Sequence, residues 1–204
     1  MKYIYFLFAF FSFLNCYSQA TYEKDLEKAK SYVKEVFKNN PSEILNYVKL
    51  GDGKLRLCGT NDPIKEFDND WSMFYKIIRR NDKIVFISKS DDLWGGIGDS
   101  KTYYDYYFNE NGILVGAEKV LELFLEDAKC TSQIKYFAFY KNVNAEKLDK
   151  SEEIRNADGK LIDFDSAKCK GAKKTIDNSI GYLDKISFRS VEGFMKVEKI
   201  KYYK

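Results

Sequence analysis

Between residues 22 and 38 the apolar positions are Tyr22, Leu26, Ala29, Val33, Val36 and Phe37, spaced mostly by threes and fours. Lys24, Glu27, Lys28, Lys30, Lys34 and Glu35 fall on the other side. That period predicts an amphipathic helix. Asn39-Asn40-Pro41 stops it, because proline disfavours a helical residue before it. Ser42 then reads as the cap of a short second helix containing Ile44, Leu45 and Val48.

From residue 53 the pattern turns to aromatic and β-branched runs, which predict strands. Residues 71–79 and 83–88 flank Asn81-Asp82, a two-residue hairpin turn. Residues 102–108 and 113–125 flank Asn109-Glu110-Asn111-Gly112, where the glycine supplies a positive φ. Residues 133–141 give a further strand, and 182–190 and 194–203 a last pair joined at Glu192-Gly193. The polar stretch 142–181 has helical character at Ala145–Leu148 and after Ser166. Turn chemistry recurs at Asp52-Gly53-Lys54-Leu55, Asn111-Gly112-Ile113-Leu114 and Asp158-Gly159-Lys160-Leu161, at spacings too unequal for a repeat array. A helix followed by strands predicts an α+β fold: an N-terminal amphipathic helix packed on an antiparallel β-meander of about six to seven strands.

The first twenty residues change where such a domain is expected to work. Lys2 precedes an apolar run from Tyr3 to Leu14, and Ser18-Gln19-Ala20 follows as a small-x-small site. The run is about a dozen residues, and a bilayer span needs roughly twenty. It reads as a signal peptide, residues 1–20, cleaved after Ala20 and leaving a single domain over residues 21–204. The chain is therefore expected in the periplasm or secreted. Lipidation at Cys16 is the alternative and the one route to a membrane; Phe13, Leu14 and Asn15 before it fit that signal poorly.

Export makes a disulfide natural. Cys58, Cys130 and Cys169 remain after cleavage, enough for one bridge and one leftover thiol. Cys130–Cys169 is the preferred pair, with Cys58 as a buried thiol.

The formal charge of +3 comes from interspersed acids and bases and falls to +2 without Lys2. Nucleic acid needs a clustered cationic face, and none stands out. The chain has no histidine. Ser-His-Asp and Cys-His nucleophiles are excluded, as are the usual zinc sites. No cofactor or metal motif is present: EF-hand spacing fails at Asp158-Gly159, where position one is Ile154, and at Asn111-Gly112, where it is Tyr107. Catalysis would fall to carboxylates, with Asp68, Asp70, Asp91, Asp92, Asp99, Asp105, Glu122 and Glu126 as candidates.

The segment DDLWGGIGDSKTYYDYY, residues 91–107, is neither a dinucleotide fingerprint nor a phosphate loop. Its glycines read as a loop into a strand. Alternation puts Tyr103, Asp105 and Tyr107 on one face and Tyr104, Tyr106 and Phe108 on the other. If the first face is open, Trp94, Tyr103, Asp105 and Tyr107 form a candidate ligand site for a peptide or a sugar ring. If helix and loops cover both faces, they are core.

The leader ending Tyr-Ser-Gln-Ala, the Lys/Asn/Tyr/Ile-rich composition and the hairpin Tyr-Tyr-Phe-Asn-Glu-Asn-Gly-Ile-Leu resemble uncharacterised exported proteins of Bacteroidota-type bacteria. That resemblance implies export and carries no site residues. The functional expectation is a small non-catalytic binding module for a protein, peptide or glycan of the cell envelope. Its rivals are a carboxylate-dependent hydrolase and a structural or inhibitor-like envelope protein. The hydrolase requires acids converging in a pocket.

Overall fold

Residues 22–39 form the helix that the periodicity predicts, here α1. Its buried side chains are Leu26, Ala29, Val33 and Val36. The structure, a computed structural model, describes residues 22–59, 71–91, 100–125, 130–141, 144–156, 160–161 and 186–200. The leader, Trp94 and Cys169 lie outside the described residues. Among those residues no helix is long and apolar enough to cross a membrane.

The chain leaves α1 through a single 3-10 turn, Pro41–Glu43, and not through a second helix. Leu45–Leu50 is strand β1. Its alternating residues find a partner strand in Trp71–Arg80, and that long-range pairing outweighs the local capping signal of Ser42. The other strands are β2 (Leu55–Leu57), β3 (Trp71–Arg80), β4 (Lys83–Asp91), β5 (Ser100–Phe108), β6 (Leu114–Leu125), β7 (Cys130–Lys141) and β8 (Asn144–Asn156). They make one antiparallel sheet of eight strands in the order β2-β1-β3-β4-β5-β6-β7-β8, more than the six to seven expected. β1, β2 and β8 lie outside the runs named from the sequence; residues 145–148 of β8 pair with β7 and so are strand, not helix. The α+β class and the antiparallel sheet are as the pattern implies.

Both hairpins are built by the turns read from the sequence. Asn81 and Asp82 have φ of 50° and 61°, the pair of positive values that a tight hairpin turn demands. Gly53 and Gly112 have φ of 80° and 72°, where glycine avoids the Cβ clash.

Each hairpin also carries a β-bulge. Ile78 pairs with Phe86 but Arg79 with Ile84, which leaves Val85 over. Tyr107 pairs with Gly116 but Phe108 with Leu114, which leaves Val115 over. A bulge turns two successive residues toward the same side. Val85 and Val115 thereby join Ile78, Phe86 and Tyr107 under α1, in a cluster with Leu26, Ala29, Val33 and Val36.

The opposite face is covered by the C-terminal segment. Residues 191–197 are a helix, α2 (Val191–Val197), where the sequence pattern predicted a turn at Glu192-Gly193 and a strand from residue 194. Ser190 caps it, its hydroxyl accepting from Gly193 N–H. Val191 N–H donates to the Gly112 carbonyl, and Leu114 N–H to that of Arg189, which pins the start of α2 to the β5–β6 turn. Ile186, Phe188, Phe194 and Ile200 then pack on Tyr75, Ile77, Ile87, Tyr106, Phe108, Leu114 and Ala117.

Cys58 is a buried thiol beside Val48 and Phe74 and forms no disulfide. Cys130 opens β7, and no disulfide is seen among the described residues.

Candidate functional site

Cross-strand register decides which side chains meet, and the bulges set the register. Lys76 pairs with Ser88, Ser88 with Asp105, and Asp105 with Glu118. Directly opposed residues share a face. Four polar residues from four successive strands therefore form one straight row on the α1 face. The row Ile78–Phe86–Tyr107–Gly116 lies on one side of it, under the helix, and Phe74–Ser90–Tyr103–Val120 on the other.

The polar row floors a recess of about 260 Å³. Phe37, near the end of α1, walls it together with Phe86, Tyr103 and Val120. Phe37 is 42 % exposed. Its ring meets Phe86 edge-on, with centroids 5.9 Å apart. The Lys76 ammonium sits 6.0 Å from the same ring. The groove continues along the helix past Lys30, Lys34, Lys38 and Tyr107.

Glu118 is committed. Its Oε1 accepts from Lys30 Nζ at 2.6 Å and its Oε2 from the Tyr107 hydroxyl at 3.4 Å. Asp105 stands opposite it, half-buried. Two carboxylates facing each other across strands destabilise a sheet; Lys30 offsets that for Glu118.

Tyr107 follows the covered alternative. It is only 7 % exposed, because α1 lies over it and Lys30 Nζ sits 5.4 Å from its ring. Its hydroxyl is turned to Glu118. Tyr103 and Asp105 are half-buried and line the recess, whereas Trp94 falls outside the described residues. Lys30, Lys76, Ser88 and Glu118 were not singled out from the sequence.

The burial of Tyr107 has a pH consequence. Desolvation first, then the Glu118 and Asp105 carboxylates, push its phenol above the ordinary value. A raised value favours the fold below the unfolded pKa of about 10, and that contribution is lost as pH rises above it. Tyr107→Phe has no proton to lose there. The wild type is therefore expected to lose more of its urea midpoint than Tyr107→Phe between pH 8 and pH 11. Parallel losses would show that the phenol is solvated. Lys119, lowered by burial and opposite in sign, is common to both proteins and cancels in the difference.

The other face carries a second polar row: Tyr47, Tyr75, Lys89, Tyr104 and Lys119. Lys89 and Lys119 approach the Tyr104 ring at 6.0 and 5.8 Å. Glu198, just beyond α2, accepts from Lys89 Nζ at 2.8 Å and from the Tyr75 hydroxyl at 3.1 Å. These contacts fasten the C-terminal segment to the sheet, so this row reads as a structural latch.

Comparison of the chain with protein-family models, with curated proteins and with solved structures finds no match in any of the three.

Proposed function

We propose that the protein is an exported binding module that acts without catalysis and takes its ligand in the recess beside α1. The leader is removed after Ala20, and residues 21–204 work as one domain in the periplasm or outside the cell; anchoring through a lipidated Cys16 is the alternative. The observation that carries the binding reading is the polar row. Lys76, Ser88, Asp105 and Glu118 run across the middle of a sheet face flanked by apolar rows. A fold gains nothing from opposed carboxylates at that position. Residues that break a local rule in a recess are the usual mark of a site.

A hydrolase using Asp105 and Glu118 is the second reading, favoured by their direct cross-strand opposition. Both oxygens of Glu118 are already engaged, by Lys30 and by Tyr107, which leaves it poorly placed to exchange a proton with a ligand. Binding without turnover fits better.

The test is titration of the isotope-labelled protein with soluble oligosaccharide and peptide fractions of a bacterial envelope, read by amide chemical shifts. Binding without turnover moves Lys76, Ser88, Tyr103 and Asp105 and leaves the fraction chemically intact. Cleavage of the fraction, abolished by Asp105→Asn, would replace this reading with the hydrolase.

A further inference from the structure

We infer that the occupant of this recess is a small organic anion with an apolar body, an inference that rests on the binding reading above. Six ionic groups line the recess and the groove that continues it: Lys30, Lys34 and Lys38 on α1, Lys76 on β3, Asp105 on β5 and Glu118 on β6. Four cations against two carboxylates leave positive charge in excess. The carboxylates are also taken. Glu118 holds Lys30 at 2.6 Å, and Asp105 has its own partner within the protein. Among the described residues, Lys34, Lys38 and Lys76 form no ion pair.

The helical lysines break a local rule. Lys30, Lys34 and Lys38 repeat at i, i+4, which sets like charges roughly 6 Å apart along one side of α1 and weakens the helix. The helix dipole favours a cation in the last turn. Since α1 ends at residue 39, the dipole accounts for Lys38 and not for Lys34. An anion in the groove relieves the repulsion.

The apolar half of the ligand follows from Phe37. This side chain lines both the recess and the groove, and it is 42 % exposed. Lys76 approaches its ring at 6.0 Å. Val33, Phe86 and Tyr107 extend the apolar wall along the groove. An inorganic anion alone would leave that ring in water, and a neutral apolar molecule would leave the ammonium groups unanswered. A molecule with an apolar body for the ring and an acidic head for the lysines satisfies both. Lysines act as mobile point charges without the fixed fork of arginine, so a carboxylate and a phosphate ester are equally served. The groove, at about 440 Å³, falls in the range of roughly 300–1,000 Å³ usual for small-molecule sites.

The full-length protein is titrated with phenylacetate and phenyl phosphate, with the neutral 2-phenylethanol and the cationic 2-phenylethylamine, with inorganic phosphate, and with cellobiose and an uncharged blocked tripeptide. Amide shifts are followed throughout. The two aryl anions are expected to move Lys34, Phe37, Lys76 and Asp105 with millimolar or tighter affinity, 2-phenylethanol to bind at least about tenfold more weakly, and added salt to weaken the anions. Lys34→Gln and Lys38→Gln should each weaken phenyl phosphate about two- to fivefold, the worth of one exposed ion pair. Both lysines are exposed, so melting temperatures should stay unchanged. The anion inference is overturned, and the recess remains a binding site, if the neutral or cationic analogue binds as tightly as the anions, if the lysine variants keep full affinity, or if only cellobiose or the tripeptide moves these residues. Equal binding of inorganic phosphate and phenyl phosphate would overturn the apolar body. If no probe moves these residues, or if shifts gather elsewhere, the recess itself is not the site and both readings fall.

Discussion

Glu198→Ala is expected to lower the stability of the protein by about 3–5 kcal/mol, the usual cost of removing one partner from a buried ion pair. The Glu198 and Lys89 side chains are 11 % and 14 % exposed. Exposed pairs contribute less than about 1 kcal/mol, but here the charges are largely shielded from water. Without the carboxylate, Lys89 keeps its ammonium in a buried place, near the Tyr104 ring that Lys119 also approaches. Tyr75 loses its Glu198 acceptor. The Lys49 ammonium, which donates to the Glu198 carbonyl at 2.6 Å, adds a third positive charge nearby. Glu198→Gln should be milder, since an amide oxygen still accepts from Lys89 or Tyr75. The double variant Glu198→Ala/Lys89→Met should recover much of the loss, because an apolar replacement of a whole buried pair is often close to neutral. Urea unfolding of the four proteins gives the cycle. A loss under about 1 kcal/mol for Glu198→Ala would mean that water reaches the pair and that the C-terminal segment is held by its apolar contacts alone.

The same register that builds the latch explains how far the sequence could be read. The turns were legible because their chemistry is local: Asn81-Asp82 and Gly112 adopt the positive φ values their residue types favour. The strands between them were legible from composition. The pairing was not. Counting outward from Asn81-Asp82 with no irregularity puts Lys76 opposite Ile87. Counting outward from the four-residue turn puts Asp105 opposite Gly116. The bulges at Val85 and Val115 shift each count by one, and the Asn109–Ile113 pairing that closes the second turn adds one more there, so that Lys76 meets Ser88 and Asp105 meets Glu118. Nothing in two valines announces a bulge; their positions are fixed by the demand for apolar cover under α1. The candidate site was therefore half visible. Tyr103 and Asp105 stand out in a tyrosine-rich strand, but their partners on β3, β4 and β6 emerge only with the register. Whether Tyr107 is open or covered stays out of reach for a related reason: alternation assigns a residue to a face and is silent on what lies over that face.

The C-terminal segment was read as a strand for want of the same tertiary information, and it yields the other large expected effect. In a strand, Phe194, Lys196 and Glu198 would share a face. In the helix, Val191, Phe194 and Met195 face the sheet at the i, i+3, i+4 spacing. Val197 turns outward, 49 % exposed. Phe194 is fully buried and stands at the centre of an aromatic group. Its ring centroid lies 5.3 Å from Tyr106, 5.2 Å from Phe188 and 6.3 Å from Tyr75. Gly193 allows this approach, since a Cβ there would come within 3.1 Å of Phe188 Cβ. Phe194→Ala should therefore cost about 3–5 kcal/mol, transfer and cavity together. Phe194→Leu should cost less, because part of the volume stays filled, and Val197→Ala should stay within about 0.5 kcal/mol. Seven residues cannot hold a helix by themselves, so amide exchange over 191–197 in Phe194→Ala should approach that of the unfolded chain. Equal costs at Phe194 and Val197 would point instead to a segment exposed on both sides, and the aromatic cover of this face of the sheet would have to come from elsewhere in the chain.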